Sequence, residues 1–428
     1  MTTENRESKA DSCQPKMELD VETAVMDVKE TPAVHDVVEL EKQYLLGTYA
    51  RFPVVLAKGR GVFVEDVNGK KYLDMISGLG VNALGHSHPR IVKVIRDQAA
   101  KLIHVSNLYY NQYQGPLAKK LVEASGLSRV FFSNTGTEAI DGAIKLARAH
   151  GHKVGGDGKF KLIAATNSFH GRTYGGMSLT ATAKYRDDFK PLLEGVTFIP
   201  LNDTEALKSA VDDSTCGVFL ETIQGEGGIF ECSSEFLHAA RQVCDQHKAL
   251  LVLDEIQCGL GRTGEMFAFK LHNVRPDILT TAKPIAAGLP LGAIIVTQEV
   301  ADVISAGKHG TTFGGGPLAC RVALEFLSIL DDERLLDHVK KVGDYFHQEL
   351  TNLQDKFAIV KETRGRGLMR ALELKVPSKP YADAALEAGV LMNSTHETTL
   401  RFLPPFIVEE KHIDKAVKVL KKLLKKKY

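Results

Sequence analysis

Short apolar runs alternate with amphipathic stretches through the middle of the chain. Two stretches, TEAIDGAIKLARAH and SSEFLHAARQVCDQHK, repeat their apolar residues at helical spacing. Seven runs have the length and composition of buried strands: VFFSN, KLIAAT, VTFIPL, CGVFLETI, ALLVLDE, DILTTA and LGAIIVT. Alternating strands and helices are typical of an α/β domain with a mostly parallel sheet that is covered on both faces.

The pattern changes on both sides of this predicted domain. GVFVEDVNGKKYLDM contains two alternating runs joined at Asn68 and Gly69, which predicts a β-hairpin. From about residue 320 onward strands become sparse and long helices dominate. We therefore expect a large domain over residues 86–319 and a smaller α+β domain built from residues 41–85 and 320–428.

The two ends of the chain are polar. Residues 1–40 are rich in acids and lack an apolar core segment, which predicts a flexible extension rather than a signal or transit peptide. The C-terminal KVLKKLLKKKY could be a membrane or nucleic-acid patch. The solvated face of a final helix is the favoured interpretation, because its apolar residues fall on one side: Ala416, Val419, Leu420 and Leu423.

Composition and charge narrow the class of protein. The chain has 428 residues and a formal net charge of +1, so nothing indicates a nucleic-acid partner. No apolar run reaches the roughly 20 residues that span a bilayer. The six cysteines show no CxxC spacing, so a metal or redox motif is not supported, and we expect reduced thiols in a cytoplasmic protein.

Two charged residues follow predicted strands. Asp254 ends ALLVLDE, at the edge of a parallel sheet where ligands bind, although a lone aspartate there can equally cap the next turn. Lys283 lies among small apolar residues in TTAKPIAAGLPLGA. Such surroundings lower the pKa of the amine, and a neutral amine attacks carbonyl groups. A purely structural buried lysine is the less favoured interpretation.

Three loops offer weaker signals. In SNTGTEAIDGA a helix is expected to start at Thr137, which predicts either phosphate binding or ordinary capping with equal weight. Arg172 in NSFHGRTYG could clamp a carboxylate or lie on the surface. GLGRTG matches G-x-G-x-x-G, but it neither follows a strand directly nor opens a clear helix. A glycine-rich active-site loop is favoured there over a dinucleotide site.

An acid at a strand end, a phosphate-type helix start and a shielded lysine together describe a pyridoxal phosphate site. With these residues, the sequence resembles the class III (ornithine-type) aminotransferases of fold type I from about residue 42 to the end. The resemblance rests on segments in family order: GVFVEDVNGKKYLDMISGLGVNALGHSHP, FFSNTGTEAIDGAIKLAR, NSFHGRTYG, ETIQGEGG, LLVLDEIQCGLGRTG, TTAKPIAAGLPLGA, HGTTFGGGPLAC and LRFLPPF. It implies pyridoxal 5'-phosphate as cofactor, no metal, and a homodimer.

The resemblance also implies residue roles around the cofactor. Lys283 is expected to bond covalently to it and to carry a proton between carbons, and Asp254 is expected to pair with its ring nitrogen. Gly136 and Thr137 are expected to hold the phosphate, and Thr312 to reach the phosphate in the neighbouring subunit. The implied cofactor contacts are Gly136, Thr137, Phe169, His170, Asp254, Gln257, Lys283 and Thr312.

Substrate contacts follow from the same resemblance. Arg401 is expected to bind the α-carboxylate of glutamate or 2-oxoglutarate, Glu226 to mask Arg401 when the other substrate is bound, and Arg172 to bind a distal carboxylate. The implied substrate contacts are Arg172, Glu226, Arg401, Ser106, Asn107, Tyr109 and Tyr110.

Within the family, SNLYYNQ, the HGRT loop and QGEGG are most similar to the acetylornithine-using members. The implied reaction moves the side-chain amine of N2-acetyl-L-ornithine to 2-oxoglutarate, which gives N-acetylglutamate semialdehyde and glutamate in arginine biosynthesis. Ornithine, succinylornithine, 4-aminobutyrate and a lysine-pathway precursor stay open as alternative donors. A mutase or decarboxylase on the same fold, and a non-catalytic binding protein, are the more distant alternatives.

Overall fold

The computed structural model describes residues 34–426. The chain divides into two compact units, Met1–Leu56 and Ala57–Tyr428. Most of the predicted extension, residues 1–33, lies outside the described residues. Within the first unit the described chain opens with helix α1, Val34–Tyr44, so an ordered helix begins inside the segment that we expected to be flexible.

The second unit opens with a small sheet. Its first three strands are β1 (Leu56–Arg60), β2 (Phe63–Asp66) and β3 (Lys71–Asp74). Strands β2 and β3 are antiparallel, with Val64 opposite Tyr72, which confirms the predicted hairpin. At the turn, Gly69 has a φ of +80°, a left-handed conformation that glycine adopts without steric cost. Helices α2 (Ser77–Gly80), α3 (Pro89–Ala99) and α4 (Gln114–Ser125) follow.

A seven-stranded sheet forms the centre of the second unit. Its strands are β4 (Arg129–Ser133), β5 (Lys161–Ala165), β6 (Val196–Ile199), β7 (Thr215–Glu221), β8 (Leu250–Asp254), β9 (Ile278–Thr281) and β10 (Gly292–Val296). Their spatial order is β4–β10–β9–β8–β7–β5–β6. Strands β5 to β9 pair in parallel, and β10 runs antiparallel to both of its neighbours. Each strand matches one of the seven apolar runs, with β4 and β7 beginning one residue earlier than their runs, so the mostly parallel α/β sheet is confirmed.

Helices cover both faces of this sheet. They are α5 (Gly136–Gly155), α6 (Tyr174–Ser178), α7 (Thr204–Ala210), α8 (Ser234–His247) and α9 (Gln298–Ala301). Neighbouring residues on one strand belong to different apolar clusters: Leu162 joins the cluster under α5, and Ile163 joins the cluster that includes α8. Burial of each such side chain contributes about 1.5–3 kcal/mol. Two-sided burial explains why these runs are continuously apolar rather than alternating.

The C-terminal part combines long helices with a second small sheet. Its helices are α10 (Pro317–Asp332), α11 (Leu335–Lys356), α12 (Lys379–Glu387) and α13 (Glu410–Leu423). Its strands are β11 (Val360–Arg366), β12 (Met369–Leu374), β13 (Val390–Leu391), β14 (Asn393–Thr395) and β15 (Thr399–Phe402). The antiparallel order is β11–β12–β15–β14, whereas β13 joins β3 in parallel.

Helix α13 buries its apolar side, including Ala416 and Leu420, as its spacing predicted. Between residues 34 and 426 no helix is long and apolar enough to cross a membrane. Residues 57–428 cluster as one compact unit, so the proposed boundaries at residues 85 and 319 stay predictions.

Candidate active site

A cavity of about 440 Å³ opens beyond the carboxyl ends of the central parallel strands. Its size is typical of a site for a small molecule. It brings together most of the residues predicted from sequence: Gly136, Thr137, Phe169, His170, Arg172, Glu226, Asp254, Gln257 and Lys283. The roles expected of these residues stay predictions, but their convergence on one cavity is a property of the fold.

Asp254 lies at the end of β8 and is almost fully buried. One carboxylate oxygen accepts the N–H of Ile256 at 3.0 Å, and the other lies 2.8 Å from Nδ1 of His170. Burial works against a charge on His170, but the hydrogen bond and the charge of Asp254 outweigh it, so the pKa of His170 is raised. The imidazole therefore orients the carboxylate of Asp254 at the cavity.

Lys283 follows β9 and faces the cavity from a turn in which its own φ is +36°. Desolvation lowers the pKa of its amine, although the charges of Asp254 and Glu226 act in the opposite direction. A lowered pKa increases the neutral fraction of the amine, which is the form that attacks carbonyl carbon. The strained backbone and the small neighbours point this amine into a cavity rather than to bulk water.

The start of α5 differs in detail from the prediction. The helix begins at Gly136, and its cap is Thr135, which forms a capping box with Glu138. Thr137 is not the cap: its hydroxyl accepts the N–H groups of Arg172 and Thr173, both at 3.2 Å. The first N–H groups of a helix have no partner within it, so this end favours an anion such as a phosphate.

Phe169 and Arg172 lie in the loop between β5 and α6, and both line the cavity. The guanidinium of Arg172 lies 3.8 Å from the ring centre of Tyr185 and 5.4 Å from that of Phe169. Aromatic faces attract a cation and hold it in place without neutralising it. Arg172 is therefore oriented at the cavity and available for a carboxylate. Tyr185 could not be identified from the sequence, because the arginine that it contacts lies on another loop.

Arg401 lies on β15, and its side chain is only 1% exposed. Its Nη1 donates to Glu226 at 2.5 Å and to Gln257 at 3.3 Å, while its Nε donates to Asn393 at 3.2 Å. Burial acts against the charge of Glu226, but Arg401 more than offsets it, so the pKa of Glu226 is lowered. Glu226 thus carries a charge next to Arg401, which does not itself line the cavity.

Glu221 is a cavity residue that the sequence analysis did not single out. It ends β7, is 6% exposed, and accepts the N–H groups of Phe169 and Gly225, both at 2.9 Å. Burial raises its pKa to about 7, and the charge of Asp254 adds to that effect. Its position at the end of an apolar strand, next to the strand that ends in Asp254, is the signal that could have identified it.

Six predicted residues do not line this cavity within one chain, although the last of them contacts Glu226 and Gln257, which do: Ser106, Asn107, Tyr109, Tyr110, Thr312 and Arg401. Asn107 and Tyr109 line a separate cavity of about 790 Å³, together with Thr311. The side-chain amide of Asn107 donates to the carbonyls of Thr311 and Gly314, at 3.2 and 3.0 Å.

The residues at the main cavity fit pyridoxal phosphate. A helix start suits the phosphate, a buried carboxylate suits a protonated ring nitrogen, and a desolvated amine suits the aldehyde. His170 Nε2 at this cavity, and Thr281 Oγ1 next to the lining residue Ala282, are buried without a hydrogen-bond partner among the described residues. Among residues 34–426, no group of three or more His, Cys, Asp or Glu side chains is placed to hold a metal ion.

Comparison with known proteins agrees with this geometry. An acetylornithine aminotransferase of Methanocaldococcus jannaschii is 48% identical over 383 residues, which cover 90% of this chain and 96% of that protein. The acetylornithine aminotransferase of Elizabethkingia anophelis has a solved structure with a TM-score of 0.82 and 33% identity, covering 92% of this chain and 99% of that one.

An ornithine aminotransferase of Toxoplasma gondii, with partial occupancy of pyridoxal phosphate at its active site, has a TM-score of 0.88 and 35% identity. That match covers 92% of this chain and 94% of the solved one. The family model for aminotransferase class-III matches residues 47–424. This chain therefore belongs to the class III aminotransferases.

Proposed function

We propose that this aminotransferase moves the side-chain amine of N2-acetyl-L-ornithine to 2-oxoglutarate, as a step of arginine biosynthesis. The observation that carries the proposal is the Glu226–Arg401 pair at the cavity. Glutamate presents a carboxylate beside its reacting amine, whereas acetylornithine presents a methylene chain there. When Arg401 pairs with Glu226, its charge is compensated and the uncharged chain of acetylornithine can lie beside it. When Glu226 moves away, Arg401 can bind the carboxylate of glutamate.

The proposed cofactor is pyridoxal phosphate, held by the start of α5, Asp254 and Lys283. When bound, it supplies an electron sink for the carbon that carries the migrating amine. Asp254 would pair with the ring nitrogen, and His170 orients the Asp254 carboxylate through their 2.8 Å hydrogen bond. Lys283 Nζ, whose pKa is lowered by desolvation, can take up a proton and return it to a neighbouring atom.

Ornithine is the second candidate donor. The similarity to the solved ornithine aminotransferase of T. gondii supports it, at 35% identity. The 48% identity to the acetylornithine enzyme of M. jannaschii favours the acetylated donor. The two donors differ in charge at the α-nitrogen, because acetylation turns an ammonium into a neutral amide. A donor panel separates them directly.

A homodimer and a cytoplasmic location belong to the same proposal. Leu108 and Phe313 are 85% and 66% exposed near the second cavity, which supports burial of this surface by a second copy. Such a copy would bring Thr312 towards a neighbouring active site. The five cysteines of the described residues are free and buried, which fits a reducing compartment. Light scattering of the purified protein tests the dimer.

The reaction is tested with purified protein, pyridoxal phosphate, acetylornithine and 2-oxoglutarate. We expect glutamate to form in step with loss of the donor. The matched control is Lys283→Ala, which should fold but form no glutamate, because no other amine lines the cavity among the described residues. Absence of glutamate with the wild-type protein, or equal glutamate with Lys283→Ala, would refute the proposal.

A further inference from the structure

The loop of residues 224–231, here called the gate loop, carries Glu226. Two side chains from the C-terminal sheet hold its backbone. Thr395 Oγ1 donates to the carbonyl of Glu226 at 2.8 Å. Arg364 donates twice to the carbonyl of Gly228, from Nη2 at 2.7 Å and from Nε at 3.1 Å. Both donors reach the loop from strands more than a hundred residues later in the chain, so they link distant segments.

Arg364 also binds the strand that carries Arg401. Its Nη2 lies 2.7 Å from a carboxylate oxygen of Glu373, and that oxygen accepts the hydroxyl of Thr399 at 2.5 Å. Thr399 lies two residues before Arg401 on β15, on the same face of the strand. One guanidinium therefore connects the loop that bears Glu226 to the strand that bears Arg401.

This connection is buried and well satisfied. The side chains of Arg364 and Glu373 are 11% and 8% exposed, and the guanidinium lies 4.0 Å from the ring centre of Phe230. Buried charges are stable only when paired and hydrogen-bonded. The remaining oxygen of Glu373 accepts the hydroxyl of Thr398 at 2.6 Å, which completes the network. Arg364 Nη1 donates to Glu362 at 2.5 Å, so each nitrogen of the guanidinium has a partner.

A third contact holds the gate loop from the central sheet. The N–H of Gly225 donates to Glu221 at 2.9 Å. The backbone is therefore held at Gly225, Glu226 and Gly228. In contrast, the side chain of Glu226 is 27% exposed and is the part of the loop with room to move. Arg401 is masked when Glu226 pairs with it and open when Glu226 turns away. Exchange between these two forms then requires rotation of the Glu226 side chain and no displacement of the loop.

We propose that Arg364 and Thr395 are positioning residues that set the balance between the masked and open forms of Arg401. This proposal rests on the proposed function only for the identity of the amine donor. With the loop fixed, the carboxylate of Glu226 is presented to Arg401 at bonding distance. If the gate loop is not held, pairing of Glu226 with Arg401 must also order the loop. That ordering costs free energy, so the population of the masked form falls.

The direction of the effect on substrates follows. A less populated masked form leaves Arg401 open more often, so a dicarboxylate binds more tightly and the acetylated donor is used less well. Loss of one net hydrogen bond corresponds to a shift of about fivefold in such an equilibrium. A purely structural role would instead weaken both kinds of ligand together.

The test uses the enzyme loaded with pyridoxal phosphate and two substitutions, Thr395→Val and Arg364→Lys. Valine keeps the size of threonine and removes only the hydroxyl. Lysine keeps the charge but cannot reach Gly228 and Glu373 together. The control is Thr363→Val, which removes a hydroxyl bonded to the carbonyl of Ala371 at 3.1 Å, on β11 but away from the gate loop. Should Arg364→Lys fail to fold, Thr395→Val alone decides.

Two measurements are made on each variant: the affinity for glutarate by calorimetry, and kcat/KM for acetylornithine. We expect Thr395→Val to bind glutarate about fivefold more tightly and to use acetylornithine about fivefold less efficiently, with Thr363→Val within about twofold of wild type. Unchanged or weaker glutarate binding in Thr395→Val would overturn the proposal, as would an equal change in the control. If glutarate binding tightens although wild type does not use acetylornithine, the positioning role stands and the proposed function fails.

Discussion

Replacement of Glu226 by glutamine probes the masking of Arg401 most simply. Glutamine keeps an oxygen that can accept from the guanidinium, and it has almost the same volume as glutamate. The substitution therefore removes the negative charge and little else. Because Arg401 is 1% exposed and pairs with Glu226 at 2.5 Å, the loss of that charge leaves a buried cation that a substrate carboxylate can compensate.

The magnitude follows from the geometry of the pair. A hydrogen bond between charged groups contributes about 1.5–3 kcal/mol, and one with a single neutral partner contributes about 1 kcal/mol less. Full removal of one partner of a buried pair costs about 3–5 kcal/mol, which sets the upper limit. A difference of about 1.4 kcal/mol corresponds to a factor of ten in affinity. We therefore expect Glu226→Gln to bind dicarboxylates about tenfold more tightly than wild type.

The assay is titration of the loaded enzyme with 2-oxoglutarate, followed by steady-state kinetics with both substrates. The KM for 2-oxoglutarate should fall about tenfold, and kcat/KM for acetylornithine should fall as well, because the open Arg401 faces an uncharged chain. The pH should be near neutral, where the lowered pKa of Glu226 keeps the wild-type pair ionised. Weaker or unchanged binding of 2-oxoglutarate in Glu226→Gln would show that Glu226 does not mask Arg401.

The remaining predictions concern the cofactor, packing and pH. Lys283→Ala should lose the visible absorbance of covalently bound pyridoxal phosphate while its circular dichroism stays that of wild type; a retained band would mean that another group binds the aldehyde. Gly151→Ala should lower Tm, because a Cβ there would lie 2.2 Å from the carbonyl oxygen of Lys159, whereas Gly158→Ala, with nothing within 4 Å, should leave Tm nearly unchanged. Burial raises the pKa of Glu255 from 4.5 to about 7, so its favourable contribution to stability is complete below pH 4.5 and is lost as pH rises through 7. Relative to Glu255→Gln, the wild type should lose up to about 3 kcal/mol of stability between pH 5 and pH 8, and equal pH dependence of the two proteins would contradict this.

The strands could be predicted from the sequence wherever side chains on both faces of a strand are buried. The strands of the central sheet are apolar on both faces, so each appears as a continuous run between polar turns, and all seven were located. The family, the fold class and the enzyme class are confirmed by the comparisons. Asp254 and Lys283 were recognisable because a charged residue at the end of an apolar run is rare without a partner or a role.

Contacts between distant segments could not be predicted in this way. Arg364 and Gly228 are 136 residues apart, and nothing local in GEGG or TRGR indicates that they meet. The cap of α5 was misplaced by two residues, because both Thr135 and Thr137 carry a suitable hydroxyl and only the backbone conformation selects Thr135. Local sequence specifies which residues can cap or bind, whereas the fold decides which of them do.

The structure of a single chain does not account for the roles expected of four residues: Ser106, Asn107, Tyr109 and Thr312. Their expected roles came from the family resemblance, and a single chain places none of them at the main cavity. Their surface is exposed and partly apolar, which is the character of an interface rather than of a finished pocket. The homodimer that we propose would bring such residues to the site from a second chain, and a contact of that kind leaves no local signal in the sequence.

The most direct measurement is competition between amine donors at one active site. Acetylornithine and ornithine are supplied together with 2-oxoglutarate, and the two semialdehyde products are quantified to give the ratio of kcat/KM values. The proposed function predicts a clear preference for acetylornithine, with glutamate formed in equal amount to the semialdehydes. Equal or better use of free ornithine would contradict it and would assign this chain to the ornithine-using members of the family.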